Sequence, residues 1–275
     1  MHRILMSAAA LLIWLGQGAV AAQLQPTDDP ATSPVWLKVK ASFFDGRTVE
    51  PAPAGMLTLE IPRRAVDAAV VPVAIRASFA HTPASYVKAL YLVIDANPSP
   101  LSAVFQFTPE SGSADVETRV RIDAYSHVRA IAETSDGRLY GVTHFVKASG
   151  GCSAPAGADA QAAQARMGQM HLRVDGSLDG PAPVLAQLAI EHPNHSGLAM
   201  DQATRQFTPA HFVRKVEVTY DGKPVFAADV DFSIAENPNF RFHFVPHGGG
   251  VLKATVVDSQ DLRFVSTQVL GAAAR

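Results

Sequence analysis

Residues 82–95 read TPASYVKALYLVID and residues 208–221 read TPAHFVRKVEVTYD, and these two related stretches decide the fold. Five of the fourteen positions are identical across an offset of 126 residues, and Tyr86 and Phe212 are close substitutes. A repeat at this spacing indicates two domains of the same architecture in one chain.

Each copy is followed by an Asn-Pro turn, an alternating Phe-x-Phe-x-Pro run and a further pair of segments around a polar turn. In the first copy the turn and the run are Asn97-Pro98 and residues 105–109. In the second copy they are Asn237-Pro238 and residues 242–246, reached only after a longer excursion over residues 222–236. This order predicts that the two Phe-x-Phe-x-Pro runs form equivalent strands.

Within each half the apolar runs are short, rich in Val, Ile, Phe and Thr, and mostly of period two, as at residues 56–61, 116–122 and 225–232. Asp-Gly, Asn-Pro and other proline-rich turns separate them at intervals of about ten residues. Asp95 and Asp221, at matching repeat positions, are interpreted as turn residues. The pattern predicts an all-β protein with two immunoglobulin-like β-sandwich domains joined by an Ala/Gly/Gln-rich linker.

These patterns divide the chain into five parts. Three prolines between residues 26 and 34 predict a lead-in without regular structure before the first sandwich. The Ala- and Gln-rich linker between the sandwiches is expected to be partly helical. The predicted parts are a signal peptide over 1–22, the lead-in over 23–44, the first sandwich with a terminal Gly-Gly-Cys arm over 45–152, the linker over 153–179 and the second sandwich over 180–275.

The first 22 residues have the features of a secretory signal peptide. An apolar stretch from Ile4 to Leu15 follows Arg3, and small residues lead up to a cleavage site near Ala22. The apolar stretch is too short to span a bilayer, and no other run of about 20 apolar residues follows, so no membrane span is expected. We therefore predict that the protein is exported.

Composition excludes several classes of function. With 23 basic and 25 acidic residues the formal net charge is -2, so no cationic surface to hold nucleic acid or anionic lipid is expected. A single cysteine excludes an internal disulfide, a cysteine-rich zinc site and a haem attachment motif. We predict that the chain carries no cofactor of its own.

The single cysteine, Cys152, lies in the sequence SGGCSAPAG, directly after the last predicted strand of the first half. In an exported protein a lone thiol is either buried and inert or exposed for use. Gly150 and Gly151 leave the backbone almost free, which suits a mobile arm and suits a buried strand badly. We predict that these glycines are the hinge of an arm that holds the thiol outside the folded domain.

Ten histidines are the other candidates for chemistry. His192 and His195 are three residues apart in HPNHSG, a spacing that can ligate zinc or copper, but a metal site needs more convergent ligands than this pair. We therefore interpret these residues, together with His211, His243 and His247, as loop and strand histidines. The sequence shows no nucleophile elbow, phosphate loop, zinc-protease motif or paired carboxylates, so we predict neither catalytic residues nor a metal site.

A Gly-Gly-Cys arm after a β-sandwich, followed by a domain with His192-Pro193, Pro209-Ala210-His211-Phe212 and Ser233 to Asn237-Pro238, resembles SoxY and SoxZ fused in one chain. The resemblance covers residues 45–152 and 180–270. The fused form is similar to SoxYZ-like carriers associated with quinoprotein dehydrogenases. The departure is the arm, which continues as GGCSAPAG into another domain where the family typically ends in a free GGCGG tail.

The resemblance implies a periplasmic sulfur carrier rather than an enzyme. Cys152 matches the cysteine that carries thiosulfate- or sulfide-derived intermediates covalently and presents them to partner enzymes. The implied partners are c-type cytochromes and sulfur-oxidising or quinoprotein dehydrogenase enzymes of the periplasm. Two alternatives stay open: a non-catalytic exported adaptor for a quinoprotein alcohol dehydrogenase or cytochrome, and a thiol redox relay that forms transient mixed disulfides.

Overall fold

A computed structural model describes residues 24–155, 160–201 and 204–271. The predicted signal peptide, residues 1–22, lies outside these ranges. Among the described residues no helix has the length and apolar character needed to cross a membrane.

Fifteen strands and two α-helices follow one another along the described chain. Two short 3-10 turns, Pro30–Thr32 and Pro109–Ser111, complete the regular structure of these residues. The helices are α1 (Pro34–Phe43) and α2 (Ala160–Arg166). The strands are β1 (Val49–Pro51), β2 (Leu57–Glu60), β3 (Val71–Ala77), β4 (Val87–Ile94), β5 (Leu101–Gln106), β6 (Val116–Val120), β7 (Ser126–Thr134), β8 (Leu139–Val146), β9 (Met170–Asp175), β10 (Val184–Ile190), β11 (Val213–Tyr220), β12 (Lys223–Val230), β13 (Asn239–Phe244), β14 (Gly250–Asp258) and β15 (Arg263–Leu270).

The strands form two sheets, which confirms the predicted all-β class with two sandwich halves. The larger sheet has the order β1-β8-β7-β4-β5-β12-β11-β14-β15, and the smaller has the order β2-β3-β6-β13-β10-β9. Each sheet takes strands from both halves, because β5 pairs with β12 and β6 pairs with β13. The halves are thus joined side by side through continuous sheets, and one apolar core runs through both.

The sequence repeat corresponds to β4 and β11, which occupy matching places on either side of the junction. The hairpins that follow, β7–β8 and β14–β15, also match, as the sequence indicates. Outward from the junction between β5 and β12, corresponding strands follow one another in the same spatial order on both sides, apart from the added β1. The arrangement is that of two related halves facing one another across a pseudo-two-fold axis.

The predicted equivalence of the two Phe-x-Phe-x-Pro runs is wrong. Phe105 lies on β5 of the larger sheet, whereas Phe242 lies on β13 of the smaller sheet. The excursion over residues 222–236 contains a complete strand, β12, which is the true counterpart of β5. A two-residue turn joins β11 to β12, with Asp221 and Gly222 at φ of 47° and 79°, the left-handed values that favour Asp-Gly in hairpins.

Aromatic side chains fill the core where the halves meet. Phe105 packs with Phe226 and Phe240 at centroid distances of 6.2 and 6.3 Å, and Phe226 stacks on Phe242 at 4.4 Å. All four are fully buried. Burying one such ring contributes about 1.5–3 kcal/mol, so this cluster stabilises the union of the halves.

The lead-in, predicted to lack structure, contains α1. Ser33 caps the helix by accepting a hydrogen bond from the Trp36 amide at 3.3 Å, and Pro34 occupies the first turn, where its missing N–H costs nothing. Trp36 and Val39 are buried in a small second core, so the helix is held by packing. The prolines that suggested a disordered segment are here a helix start signal.

The predicted linker over 153–179 is shorter than expected. It is partly helical at α2, as predicted, but its last part forms β9, the edge strand of the smaller sheet. β9 pairs antiparallel with β10, with Leu172 opposite Leu188. Residues 170–175 therefore belong to the second half.

Candidate functional site

The arm that carries Cys152 leaves β8 and folds back against the first half. The amide of Gly150 donates to the Asp123 carbonyl at 2.7 Å, and the amide of Gly151 donates to the Ile122 carbonyl at 3.0 Å. Gly150 has a φ of 79°, and a Cβ on Gly151 would lie 2.1 Å from the Ala68 carbonyl oxygen. Both glycines therefore permit a tight, docked turn in this conformation. Their role as a hinge stays a prediction.

The Cys152 side chain is fully buried, at 0% exposure, so the prediction that it lies outside the folded domain is wrong for this structure. Burial raises the pKa of the thiol from 9.0 to about 12, and the nearby carboxylates of Asp123 and Asp231 add to the rise against the opposing charge of Arg121. The group is therefore a protonated thiol near neutral pH, and protonated thiols are poor nucleophiles.

The second half closes over the thiol through the loop between β10 and β11. The hydroxyl of Ser196 in this loop donates to the backbone carbonyl of Cys152 at 2.5 Å. Leu198, two residues on, donates its amide back to the Ser196 hydroxyl at 3.1 Å, which fixes the serine rotamer. Cys152 thus lies at the boundary between the halves.

Arg121 joins the same boundary from the first half. Its Nη1 donates to three carbonyl oxygens of the second half: Asn194 at 2.8 Å, Phe232 at 2.9 Å and Ile234 at 2.7 Å. The side chain is buried, and burial lowers its pKa, while the carboxylate of Glu236 acts in the opposite direction. A buried cation that ties three carbonyls of one half to the other fixes the position of the closing loop.

Asn97, from the predicted Asn-Pro turn, completes the boundary. Its Nδ2 donates to the Arg121 carbonyl at 2.9 Å and to the Ser233 hydroxyl at 3.0 Å, and its Oδ1 accepts from the Asp123 amide at 2.9 Å. Its side chain thus links residues 121–123, against which the arm docks, to Ser233 of the second half. The sequence identified Asn97 only as a turn residue.

A buried His–Asp–His cluster anchors the closing loop at its base. Nε2 of His211 lies 2.7 Å from Oδ2 of Asp258, and Nε2 of His192 lies 3.6 Å from the same oxygen. Burial lowers the pKa of His192 to about 4, helped by the neighbouring His211, so the ring is neutral near pH 7. Burial alone would raise the pKa of Asp258, but the hydrogen bonds from His211 and two backbone amides bring it below its ordinary value.

The three groups also present ligand atoms within 4.8 Å of one another, which raises the question of a metal ion. The amide of Asn194 donates to Nδ1 of His192 at 3.0 Å. That bond uses the Nδ1 lone pair, so the proton of the neutral ring sits on Nε2, which lies 3.6 Å from Oδ2 of Asp258 and has no hydrogen-bond partner among the described residues. A protonated nitrogen cannot ligate a metal, so the hydrogen bonding fits an anchor better than a metal site.

The structure brings together only part of what the sequence selected. His192 and His211 converge with Asp258, whereas His247 contacts Glu110 at 2.8 Å. Sequence reasoning missed Ser196 as a contact of the arm and Arg121 as a link between the halves. Arg121 falls on the outward phase of the alternating run over residues 116–122, so the sequence carries no signal of its burial.

The comparisons with known proteins match the two halves separately. The model of the sulfur oxidation protein SoxY matches residues 40–152, and the model of the sulphur oxidation protein SoxZ matches residues 177–269. The SoxY match ends at Cys152. No curated protein matches this chain.

Solved structures are similar to parts of the chain. They include the sulfur carrier protein SoxY from Chlorobium limicola f thiosulfatophilum, at 22% identity over 40% of this chain and 89% of that one, with a TM-score of 0.34. A superoxide reductase (neelaredoxin) from Ignicoccus hospitalis has 16% identity over 34% of this chain and 79% of that one, with a TM-score of 0.30. Fibronectin(III)-like modules of Clostridium thermocellum CbhA have 11% identity over 79% of this chain and 94% of those modules, with a TM-score of 0.24.

These TM-scores are too low for the structural similarities to support a conclusion, so the family assignment rests on the two family models. Together they match both halves in the order that the sequence motifs indicate. The chain therefore belongs to the sulfur oxidation proteins, as a SoxY domain and a SoxZ domain fused in one polypeptide.

Proposed function

We propose that this protein is a periplasmic carrier that holds sulfur intermediates covalently on Cys152 and presents them to partner enzymes. The observation that carries the proposal is the match of a SoxY model that ends at Cys152, the single cysteine of the chain. The signal-peptide features of residues 1–22 support export.

Loading with thiosulfate is an oxidation. The outer sulfur of thiosulfate forms a bond to Sγ of Cys152, the S–H bond breaks and releases its proton, and two electrons leave for an external acceptor. We propose c-type cytochrome haems as the acceptors, two haems taking one electron each. The product is a cysteine S-thiosulfonate, and the protein supplies the attachment point and the docking surface without catalysing the step.

The buried thiol sets a condition on this chemistry. With a pKa of about 12 and no exposed surface, Cys152 cannot react in the closed conformation. The turn must therefore leave its site for loading, and the hydrogen bonds that it would exchange for water are few: those of Gly150, Gly151 and the Cys152 carbonyl. We infer that partner binding favours this open state.

Mass spectrometry of the protein purified from its native periplasm tests the proposal. We expect the peptide containing Cys152 to carry a sulfur adduct that dithiothreitol removes. A Cys152 peptide that is unmodified in protein from cells oxidising thiosulfate, and that stays unmodified with thiosulfate and an oxidant in vitro, would overturn it.

Burial of Cys152 favours one alternative, a structural adaptor for a quinoprotein dehydrogenase or cytochrome in which the thiol serves only packing. The substitution Cys152→Ser separates the two functions, because serine closely matches the volume of cysteine. Carriage predicts loss of sulfur oxidation with an unchanged fold. Retained activity of Cys152→Ser would favour the adaptor. A mixed disulfide between Cys152 of the wild-type protein and a partner, seen on a non-reducing gel, would favour the redox relay.

A further inference from the structure

A cavity of about 550 Å³ lies at the foot of the arm, where β8 ends. We call it the foot cavity. Arg63 and Arg64 line it from the segment between β2 and β3, and Thr143, His144 and Lys147 line it from β8 and the start of the arm. Three of these side chains, those of Arg63, Arg64 and Lys147, are basic, and none of the described residues that line the cavity is acidic.

Backbone contacts hold these cations together. The amide of Lys147 donates to the Arg63 carbonyl at 2.9 Å, and the amide of Ala65 donates to the Lys147 carbonyl at 3.1 Å. Arg64 and Lys147 are directly opposite one another in a parallel bridge. Like charges opposite one another across a β-ladder are destabilising, so this pairing has a cost that no acidic group among the described lining residues offsets.

Several other surface arginines of this protein have acidic partners. Arg138 pairs with Glu50, Arg173 with Asp175, and Arg76 lies between Glu60 and Glu117. By contrast, the salt bridges within residues 24–155, 160–201 and 204–271 include none of Arg63, Arg64 and Lys147. A converging, unpaired cationic cluster in a concave site is suited to an anion from solution.

We propose that the foot cavity is a non-covalent binding site for a small sulfur oxyanion of the thiosulfate or sulfate type. Guanidinium groups offer paired N–H donors that match two oxygens of such an anion, and the lysine ammonium and the Thr143 hydroxyl add single donors. The choice of a sulfur oxyanion rests on the proposed carrier function.

The site lies within reach of the thiol. Lys147 and Cys152 are five residues apart, a span of at most about 18 Å in extended chain. The segment that carries Arg63 and Arg64 continues alongside the arm, since Ala68 touches Gly151. An anion held in the foot cavity is thus concentrated where an opened arm can meet it.

The test uses the full mature chain with Cys152→Ser, which removes covalent loading and leaves only non-covalent binding. Thiosulfate and sulfate are titrated separately at constant ionic strength, with chloride as the reference anion, and backbone amide shifts are followed by NMR. We expect saturable shifts at Arg63, Arg64, His144 and Lys147. The double substitution Arg64→Glu with Lys147→Glu should weaken binding by about tenfold or more.

The matched control is Lys253→Glu with Arg263→Glu, which changes the net charge equally at two exposed positions of the SoxZ domain. This control should bind as the parent does. If the charge reversals in the foot cavity unfold the protein, Arg64→Gln with Lys147→Gln replaces them, and weaker binding is again expected. Non-saturating shifts, equal effects of both double variants, or equal competition by chloride would overturn the proposal.

Failure here is distinguishable from failure of the carrier function. Saturable binding in the Cys152→Ser chain together with an unloadable Cys152 in the wild type would support the foot cavity and count against carriage. Loading of Cys152 with no saturable binding at the foot cavity would overturn this inference alone.

Discussion

The hydroxyl of Ser196 donates a hydrogen bond of 2.5 Å to the backbone carbonyl of Cys152, so a side chain of the SoxZ domain holds the cysteine of the SoxY domain. Covalent fusion keeps this contact intramolecular, and the closing loop cannot diffuse away from the arm. Access to the thiol is therefore controlled within one molecule.

The burial of Cys152 predicts slow alkylation. At pH 8 a thiol with a pKa near 12 has about 1000-fold less thiolate than one at the ordinary 9.0, so iodoacetamide should react at least about 100-fold more slowly with native than with urea-unfolded protein. Mass-resolved labelling over time gives both rates. Equal rates would contradict the closed conformation.

Ser196→Ala should accelerate labelling of native Cys152 severalfold, because the variant loses the hydrogen bond that holds the arm. Ser153→Ala is the matched control, since the exposed Ser153 hydroxyl makes only a 3.4 Å contact with the Gly150 carbonyl. Its labelling rate should stay at the wild-type value. An equal acceleration in both variants would show that the Ser196 bond has no special role.

The two arm glycines should respond differently to alanine. Gly151→Ala places a methyl group 2.1 Å from the Ala68 carbonyl, which the docked turn cannot accommodate, so the arm should leave its site and Cys152 should label at nearly the unfolded rate. Gly150→Ala meets only the Ser153 hydroxyl at 3.9 Å and adds about 1–2 kcal/mol of backbone strain from its positive φ. Labelling should therefore rise less in Gly150→Ala, and the reverse order would contradict the docked geometry.

Asp95→Asn should destabilise the protein by about 3–5 kcal/mol, because it leaves the buried Arg129 without its counter-charge. Arg129 donates to both Asp95 oxygens, at 2.8 and 2.6 Å, and stacks over Trp36 of α1 at 4.6 Å. Urea unfolding measures the change in free energy. The exposed pair Arg214–Asp261 is the control, and Asp261→Asn should cost less than about 1 kcal/mol.

The buried His192 and the half-buried Asp231 should have opposite effects on the pH dependence of stability between pH 4 and 6.5. The pKa of His192 is lowered from 6.5 to about 4, so its contribution to stability is present above pH 6.5 and is lost as the pH falls towards 4. Burial raises the pKa of Asp231 from 3.8 to about 6, so its contribution is present at low pH and is lost as the pH rises through 6.

Without the Asp231 carboxyl, the effect of His192 on the pH dependence of stability should appear undiminished. Asp231→Asn should lose about 3 kcal/mol more stability than the wild type when the pH falls from 6.5 to 4, and urea unfolding at several pH values measures this difference. The asparagine keeps a side-chain oxygen to accept the Ser233 amide, so local geometry is retained. Parallel pH profiles for variant and wild type would show that Asp231 is not buried as a neutral acid.

Local patterns predicted much of the fold. Alternation identified β6 and β12, and the shared stretch identified β4 and β11 as equivalents. The alignment failed beyond that stretch because Phe-x-Phe-x-Pro fits any half-buried strand, and only strand pairing distinguishes β5 from β13. Asp221-Gly222 is a strong hairpin signal, but in the sequence it stands at the start of the stretch 222–236, which has no counterpart before the first Asn-Pro turn.

The sequence by itself determined that this protein is two related β-sandwich halves with one cysteine after the first, because strand period, turn residues and a repeat are local properties. Only the tertiary structure decided where that cysteine lies. Asp123 and Ala68 are distant from the arm along the chain and meet Gly150 and Gly151 within the first half. Ser196 reaches Cys152 because the sheets of both halves are continuous. Two adjacent glycines leave the backbone free to swing or to dock closely, and the contacts supplied by the rest of the fold select the docked turn.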